Sequence, residues 1–235
     1  MPPNNPYIEI VKHDSDILID IEQIYAHQWK WGEYFWNQNP LILEIWTGMG
    51  NFFWKQVWEH SNTNFIGMEI RYKRLFQTAE KARKSYAASF LWEQRKEFKI
   101  GIENWEKNNF LLLKDFGQNI DKIFSQGEIA ETYIFFPDPW ANKDRQKKHR
   151  IMLPAFLEKL FRVTKVWGKV FFKTDHREYF DSSVEIIEIQ WLWKIEQKTH
   201  NYENSEIFDT KNITEFEGFY RWEKTAINYL ELTKN

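Results

Sequence analysis

Five short apolar runs in this chain each end in an acidic residue, and this pattern constrains the fold more than any other feature of the sequence. Continuous apolar runs of about four to eight residues are typical of strands that are buried on both faces of a sheet. Stretches with helical spacing separate the runs, so the pattern predicts right-handed βαβ units, a parallel sheet and an α/β fold. The five acids are Glu44, Glu69, Asp115, Asp138 and Asp175.

The positions of these acids also predict a site. The carboxyl ends of parallel strands lie at one edge of the sheet, and ligands bind at that edge in open α/β folds. A single acid after a strand is commonly the cap of the next helix. Five such acids in one chain favour a shared binding site over five separate caps.

The composition is that of a globular chain, with 43% hydrophobic and 28% charged residues. No apolar run approaches the ~20 residues that a membrane helix needs, and the N-terminal MPPNNPYIEI lacks the basic and apolar regions of a secretory signal. We therefore expect a cytoplasmic location. Cys is absent, which excludes disulfides and thiolate metal sites, and no metal is implied. The net charge of −2 argues against a globally basic nucleic-acid binder but permits a local cationic patch.

We expect two regions along the chain. Residues 1–39 are interpreted as an N-terminal extension, because Pro2, Pro3 and Pro6 suit an extended tail. Residues 40–235 are interpreted as a single domain, since this length is ample for one core.

A cationic segment follows the fourth apolar run. The run stops at Pro137, Asp138 lies between two prolines, and the positions from 143 to 150 are rich in Lys and Arg. A carboxylate at the end of a buried strand, beside a cationic patch, suits chemistry on a polyanion such as a folded RNA. The alternative is that the basic residues belong to a solvated loop.

The first apolar run leads into a glycine-containing turn. The sequence Glu44-x-Trp46-x-Gly48-x-Gly50 resembles the first motif of class I S-adenosylmethionine-dependent methyltransferases. Glycine suits such a turn because the chain turns tightly and its backbone approaches the ligand. Dinucleotide-binding dehydrogenases use similar turns, and in either class Glu69 would bind ribose hydroxyls.

Further motifs identify the sequence as similar to one family. Phe136-Pro-Asp-Pro-Trp140 with its basic run resembles the signature of the tRNA (guanine-N(7))-methyltransferase family, of the bacterial TrmB type. LEI-x-x-GMG-x-F at 43–52, FIG-x-EI at 65–70, Lys-Thr-Asp at 173–175 and Thr-Glu-Phe-Glu at 214–217 are further matches in the same order. The resemblance runs from about residue 40 to residue 232.

The resemblance implies a class I methyltransferase Rossmann-like fold, with a mostly parallel seven-stranded sheet, helices on both faces and an antiparallel C-terminal strand. The implied reaction transfers the methyl group of S-adenosylmethionine to N(7) of guanine 46 in the variable loop of tRNA. Asp138 would be the catalytic acid of the site. The implied cofactor-binding residues are Glu44, Gly48, Gly50, Glu69, Asp115 and Asp138.

The same resemblance implies contacts to the target nucleotide. The basic segment carries one residue more than the family pattern, so either Lys143 or Asn142 matches the family lysine. The implied substrate-binding residues are Lys143, Asp175, Thr214, Glu215, Phe216 and Glu217. The sequence leaves monomer and homodimer both open.

The tryptophans depart from the family pattern. The chain has 13 Trp and 9 Gly, whereas average usage gives roughly 16 Gly at this length. Trp46 occupies the first glycine of the motif, Trp167 and Trp222 lie where glycine is expected, and Trp36 and Trp105 lie in turn-like contexts beside Asn. Trp46 either impairs the protein, is accommodated by a displaced loop, or is the translation of a codon that the source organism reads as glycine. The joint excess of Trp and deficit of Gly favours the third explanation.

Three rival functions remain. A non-catalytic RNA-binding methyltransferase relic is favoured by Trp46 and opposed by the retained strand-end acids. A methyltransferase for exocyclic amines would carry Asn/Asp-Pro-Pro-aromatic after the fourth strand, which is not the pattern at 136–140. A dehydrogenase would leave that stretch unexplained.

Overall fold

The computed structural model describes residues 5–94, 109–209 and 213–235, and its centre is one eight-stranded sheet. The strand order is β1-β4-β3-β2-β5-β6-β8-β7. Pairings from β1 to β6 are parallel, whereas β8 pairs antiparallel with both β6 and β7. The strands are β1 (Ile17–Leu18), β2 (Leu41–Ile45), β3 (Asn64–Met68), β4 (Phe110–Leu113), β5 (Ile129–Phe135), β6 (Thr164–Thr174), β7 (Trp193–Thr199) and β8 (Asn228–Lys234).

Helices cover both faces of this sheet. Neighbouring residues of one strand, such as Phe65 and Ile66, belong to two different hydrophobic clusters, because successive side chains of a strand point to opposite faces. The helices are α1 (Tyr7–Lys12), α2 (Ile21–Ala26), α3 (Trp31–Phe35), α4 (Asn51–Glu59), α5 (Tyr72–Gln94), α6 (Ile120–Ile123), α7 (Pro154–Val163), α8 (Arg177–Gln190) and α9 (Glu215–Trp222). None of the helices in the described parts of the chain is both long and apolar enough to cross a bilayer.

The alternation of apolar runs with helical stretches along the chain predicts this architecture correctly. All five acid-terminated runs are parallel strands of the sheet, and the class I methyltransferase fold is confirmed. The described sheet has one strand more than the seven expected, because β1 adds to the edge next to β4. Residues 95–108, between α5 and β4, lie outside the described residues.

The N-terminal segment packs against the rest of the fold. Trp31 is 1% exposed, and its indole Nε1 donates to the carbonyl oxygen of Ile123 at 3.1 Å. Phe35 lies in the same hydrophobic cluster as the strands β2 to β6. Residues 5–39 therefore share the core of the domain that follows them.

Candidate active site

A cleft of about 750 Å³ opens at the carboxyl edge of the sheet. It extends across the ends of β2, β3, β4, β5 and β6, and residues that end or closely follow each of these strands line it. The structure brings Glu69, Asp138 and Asp175 together on this cleft, with Gly48 and Phe216. These five residues come from distant parts of the chain, and three of them are acids that follow strands; the other two strand-end acids, Glu44 and Asp115, do not line this cleft.

Glu69 is held rigidly at the end of β3. Its side chain is 2% exposed, and its Oε1 atom accepts hydrogen bonds from the backbone N–H groups of Ile70 at 2.9 Å and Arg71 at 3.0 Å. The Oε2 atom lies 3.6 Å from the Arg74 guanidinium and accepts no hydrogen bond from any described residue. One carboxylate oxygen is therefore fixed and the other is left for a donor that lies in the cleft.

Glu44 lies in a smaller pocket beside the cleft. It is 6% exposed, and this burial raises the pKa of its carboxyl to about 8. Its Oε2 atom is buried and has no hydrogen-bond partner among the described residues. The pocket has a volume of about 30 Å³ and is also lined by Thr214 and Glu215. The indole of Trp46 lines both the pocket and the cleft.

The turn between β2 and α4 needs glycine at two positions. Gly48 and Gly50 have φ angles of +57° and +74°, which L side chains rarely adopt. A Cβ atom at Gly50 would lie 2.5 Å from Oγ1 of Thr78, so the helix α5 approaches the turn too closely for a side chain. Trp46 shares this left-handed backbone, with φ +64°, although it is not glycine.

Asp115 lies behind the cleft rather than on its surface. It is 5% exposed, and its Oδ1 atom accepts hydrogen bonds from the Phe116 backbone N–H at 2.7 Å and the Asn119 side-chain amide at 2.8 Å. The residues after it, Phe116 and Gln118, line the cleft. Asp115 thus orders the loop that presents these two side chains.

The loop from Phe136 to Trp140 is anchored on both sides. The backbone N–H of Phe136 donates to the Lys173 carbonyl oxygen at 2.8 Å, and Nε of Arg150 donates to the Pro139 carbonyl oxygen at 2.7 Å. Asp138, between these anchors, is exposed to the cleft. The loop therefore holds a solvent-facing carboxylate in a fixed place.

The basic segment divides into structural and exposed residues. Arg150 is 5% exposed and pairs with Glu178, and these hydrogen bonds lower the pKa of the Glu178 carboxyl to about 2. Lys147 pairs with Glu178 as well. Lys148 and His149 line the cleft. The cationic patch is consequently smaller than the sequence suggests, because two of its members hold the loop together.

Lys143 and Asn142 are both exposed, and neither lines the cleft. Lys143 caps a short 3₁₀ helix at Asp144–His149. The match of one of these two residues to the family lysine stays a prediction.

The segment 214–217 begins helix α9 as a capping box. The Thr214 hydroxyl accepts from the Glu217 backbone N–H at 3.1 Å, and Glu217 Oε2 accepts from the Thr214 backbone N–H at 2.9 Å. Glu217 Oε1 accepts a hydrogen bond from Lys173 Nζ at 2.9 Å, and Glu217 is 0% exposed. Glu217 therefore faces the protein interior, whereas Phe216 faces the cleft and Glu215 accepts a hydrogen bond from Asn51.

Sequence reasoning missed several lining residues. Arg71 and Arg74 closely follow the strand-end acid Glu69, and Phe116 follows Asp115. A cationic or aromatic residue soon after a strand-end acid is the sequence signal that could have identified them. Tyr220 lies one helical turn after Phe216, and its ring stacks on Phe136 with a centroid distance of 5.4 Å. Burial and the neighbouring Asp175 carboxylate raise the pKa of the Tyr220 phenol to about 12.

The side chains of the cleft and of the Glu44 pocket suit a cofactor that contains a nucleoside and further polar groups. Glu44 and Glu69 each have a buried carboxylate oxygen without a hydrogen-bond partner, which suits ligand hydroxyl or ammonium donors. Phe116 is 57% exposed on the cleft and offers an apolar surface for a purine ring. The indole of Trp46 is the one element of this turn that opposes the fit.

The parallel sheet, the glycine turn after β2 and the acids at the strand ends define a class I methyltransferase domain. The crystal structure of the 16S rRNA methyltransferase KamB has this fold, with a TM-score of 0.57 and 13% sequence identity over 91% of this chain and 92% of its own. The sequence itself matches the family described as "Putative methyltransferase" over residues 38–229.

Similar proteins define the family more narrowly. A tRNA (guanine-N(7)-)-methyltransferase of Lachnoclostridium phytofermentans is 30% identical over 89% of this chain and 86% of its own length. One from Bdellovibrio bacteriovorus is 32% identical over 83% of each chain. This protein belongs to the tRNA (guanine-N(7)-)-methyltransferase family. It also spans 31% of the length of a bifunctional glycosyltransferase/methyltransferase of Fusobacterium nucleatum, with 31% identity over 97% of this chain.

Proposed function

We propose that this protein transfers a methyl group from S-adenosylmethionine to N(7) of a guanine in tRNA, at position 46 of the variable loop. The observation that carries the proposal is the meeting of Asp138 and Asp175 with Glu69 on one cleft. The names of the relatives from Lachnoclostridium and Bdellovibrio support the substrate. A tRNA substrate in turn implies a cytoplasmic location.

S-adenosylmethionine supplies an activated methyl group on a sulfonium when it is bound. Glu69, whose Oε2 atom accepts no hydrogen bond from the described residues, would bind the ribose hydroxyls, and Phe116 would cover the adenine. Glu44 would accept hydrogen bonds from the amino acid part of the cofactor. The backbone turn at Gly48 and Gly50 would let the ligand approach the main chain.

The protein's contribution to the reaction is positioning. Guanine N(7) carries a free lone pair at neutral pH, so no side chain has to remove a proton before it attacks. Asp138 and Asp175 would accept hydrogen bonds from the guanine N1–H and amino groups, which selects guanine over adenine. Holding the reacting atoms at about 3–3.5 Å accounts for much of the rate that such an enzyme needs.

Asp138 and Asp175 would also stabilise the charge that develops. Methylation at N(7) leaves a positive charge on the purine, and carboxylates fixed close to it lower the energy of the transition state. Glu217 is also an implied substrate-binding residue, but its two oxygens accept hydrogen bonds from Lys173 and the Thr214 backbone N–H. We therefore assign Glu217 to holding α9 in place and leave substrate contact to Asp138 and Asp175.

The rim of the cleft suits RNA. Lys148, Arg71 and Arg74 place cationic side chains there, and such groups bind phosphates without regard to sequence. Phe216 is 42% exposed and offers a flat surface for a base that has left its stack. This combination of charge and an exposed ring is what a folded RNA with an accessible loop base requires.

A second candidate is a non-catalytic RNA-binding relic. Trp46 favours it, because this bulky residue lines both the cleft and the pocket that Glu44 lines. The relic would bind tRNA but not S-adenosylmethionine.

The test is methylation of unmodified tRNA with labelled S-adenosylmethionine, by the chain with Trp46 and by its Trp46→Gly variant, followed by mapping of the modified base. We expect 7-methylguanosine in the variable loop from at least the glycine variant. RNA binding without label transfer by either protein would favour the relic, and a modified base elsewhere would refute the assigned position.

A further inference from the structure

Left-handed backbone in this protein is concentrated at tryptophan. Among the residues that the structure describes, eight non-glycine residues have a positive φ, and six of them are Trp. A bulky side chain is a rare outlier in this region of the Ramachandran plot, where Gly, Asn and Asp are the usual residues. The six are Trp29, Trp36, Trp46, Trp140, Trp167 and Trp191.

Two of these tryptophans end helices in the manner of glycine. Trp36 follows α3 with φ +56°, and the N–H of the next residue, Asn37, donates to the Gly32 carbonyl oxygen at 3.1 Å. Trp191 follows α8 with φ +55°, and its N–H donates to the Ile187 carbonyl oxygen at 3.3 Å. A left-handed residue directly after a helix is usually glycine, since glycine has no Cβ to clash there.

Two others lie at exposed positions, one in a turn and one within a strand. Trp29 has φ +70° between α2 and α3, and Trp167 has φ +64° near the start of β6. Their exposures are 71% and 72%, and those of Trp36 and Trp191 are 80% and 89%. The backbone at these four sites therefore favours glycine, while the indoles remain largely in solvent.

The remaining tryptophans behave differently. Trp31 and Trp193 are buried, and each donates a hydrogen bond from its indole to a backbone carbonyl oxygen. Trp140 has a positive φ, but it completes the Phe-Pro-Asp-Pro-Trp motif and packs on His149 at a centroid distance of 5.2 Å. Trp222 is exposed without a positive φ. Trp105 lies outside the described residues.

We infer that positions 29, 36, 46, 167 and 191 carry glycine in the protein that the source organism makes, through a codon that it reads as glycine. Five more glycines would bring the present 9 close to the ~16 expected at this length. The inference explains the composition and the backbone together, and it separates these five sites from the buried tryptophans.

An aromatic docking surface is the competing explanation of the exposed indoles. Such a surface would need the side chains to be exposed, but it would not need a left-handed backbone at each one. It would also leave Trp46 unexplained, because that indole packs partly against the core and lines the cleft instead of standing in solvent.

Position 46 has a consequence for the site, which rests on the proposed function. Glycine there would remove a side chain that lines both the cleft and the Glu44 pocket, and with it one obstacle to a ligand that reaches Glu44 and Glu69 together. The glycine form would then leave more room for one ligand to contact both carboxyl groups.

Mass spectrometry of the protein isolated from its source organism tests the inference directly. Trypsin releases residues 31–55 as one peptide, which contains Trp31 and Trp54 as internal controls beside positions 36 and 46. We expect Trp at 31 and 54 and Gly at 36 and 46. Trp at 36 or 46 in that peptide would overturn the inference.

Recombinant variants test the backbone argument without any assumption about function. Trp36→Gly and Trp191→Gly are each expected to raise the melting temperature by about 2–4 °C, because they relieve a left-handed conformation. The matched control Trp193→Gly removes a buried side chain and is expected to lower it. A lower melting temperature for both exposed-site variants would contradict the inference.

Calorimetry with S-adenosylhomocysteine tests the consequence for the site. Trp46→Gly is expected to bind at least about tenfold more tightly than the chain with Trp46. If the native peptide has glycine at 46 and the glycine variant still fails to bind, the proposed cofactor is wrong while the glycine assignment stands.

Discussion

Lys173 Nζ lies 2.9 Å from Glu217 Oε1, and both side chains are almost completely buried. This ion pair joins the end of β6 to the first turn of α9. The ammonium also lies 4.3 Å from the ring centroid of Tyr202 and 4.7 Å from that of Phe135. The pair thereby fixes Asp175, two residues along the chain, relative to Phe216.

Breaking this pair is expected to be costly. Lys173→Met or Glu217→Leu alone leaves a buried charge without its partner, which costs about 3–5 kcal/mol of the free energy of unfolding. The double variant removes both charges and is expected to recover part of that loss. Urea unfolding measures the stability of all three variants. Lys169→Met is the control, because Lys169 lies on the same strand as Lys173 and pairs with Glu231 of β8, but its side chain is 45% exposed. Equal losses in the single and double variants would contradict a mutual pairing.

Asp138→Ala is expected to abolish methyl transfer while the protein stays folded. Asp138 is exposed, so its loss should change the free energy of unfolding by about 0.5 kcal/mol or less. Loss of a group that stabilises transition-state charge commonly costs about 10²–10³ in turnover. The control is Asp144→Ala, which removes an exposed acid from the short 3₁₀ helix that follows. Full turnover by Asp138→Ala would remove this residue from the reaction.

Lys148→Ala is expected to weaken the binding of every tRNA to a similar degree. Lys148 lies on the rim of the cleft, and removal of one phosphate contact should reduce the slope of log affinity against log salt by about 1. Lys165→Ala removes an exposed lysine near the start of β6, at the opposite edge of the sheet, and serves as the control. An unchanged salt slope for Lys148→Ala, or the same change for Lys165→Ala, would place the RNA elsewhere.

Glu44 makes the stability of the unliganded protein depend on pH. Burial raises the pKa of its carboxyl from 4.5 to about 8. The folded state therefore keeps a proton that the unfolded state has lost, and the free energy of unfolding falls as pH rises from about 4.5 to about 8. Glu44→Gln is expected to remove this component, which amounts to a few kcal/mol at most. The measurement is urea unfolding across that pH range, with the exposed Glu185→Gln as control; identical slopes for both variants would contradict the burial argument.

The sequence predicts most of the sheet and much of the cleft. Acid-terminated apolar runs identify parallel strands because burial on both faces leaves only the strand ends for polar residues. That reasoning brings Glu69, Asp138 and Asp175 to one edge correctly. It fails for β1, since a two-residue strand is too short to show a periodic pattern.

The interior roles of Glu217 and Arg150 are not visible in the sequence. Glu217 lies 44 positions from Lys173 along the chain, and only the fold brings the two together. In the sequence, Arg150 is one more cation of a basic run. In the structure, its guanidinium is buried against Glu178 and the Pro139 carbonyl oxygen. Similarly, composition drew attention to Trp46 and Trp167, whereas Trp29 and Trp191 stand out only through their backbone angles.

The most direct test of the proposed reaction replaces the nucleophilic atom. Two tRNA transcripts are compared that differ only in having guanine or 7-deazaguanine at position 46 of the variable loop. Both the chain with Trp46 and the Trp46→Gly variant are assayed. Each is expected to bind the two transcripts with the same affinity. We predict methyl transfer to the guanine transcript and none to the 7-deaza transcript, and equal labelling of the two would contradict attack by N(7).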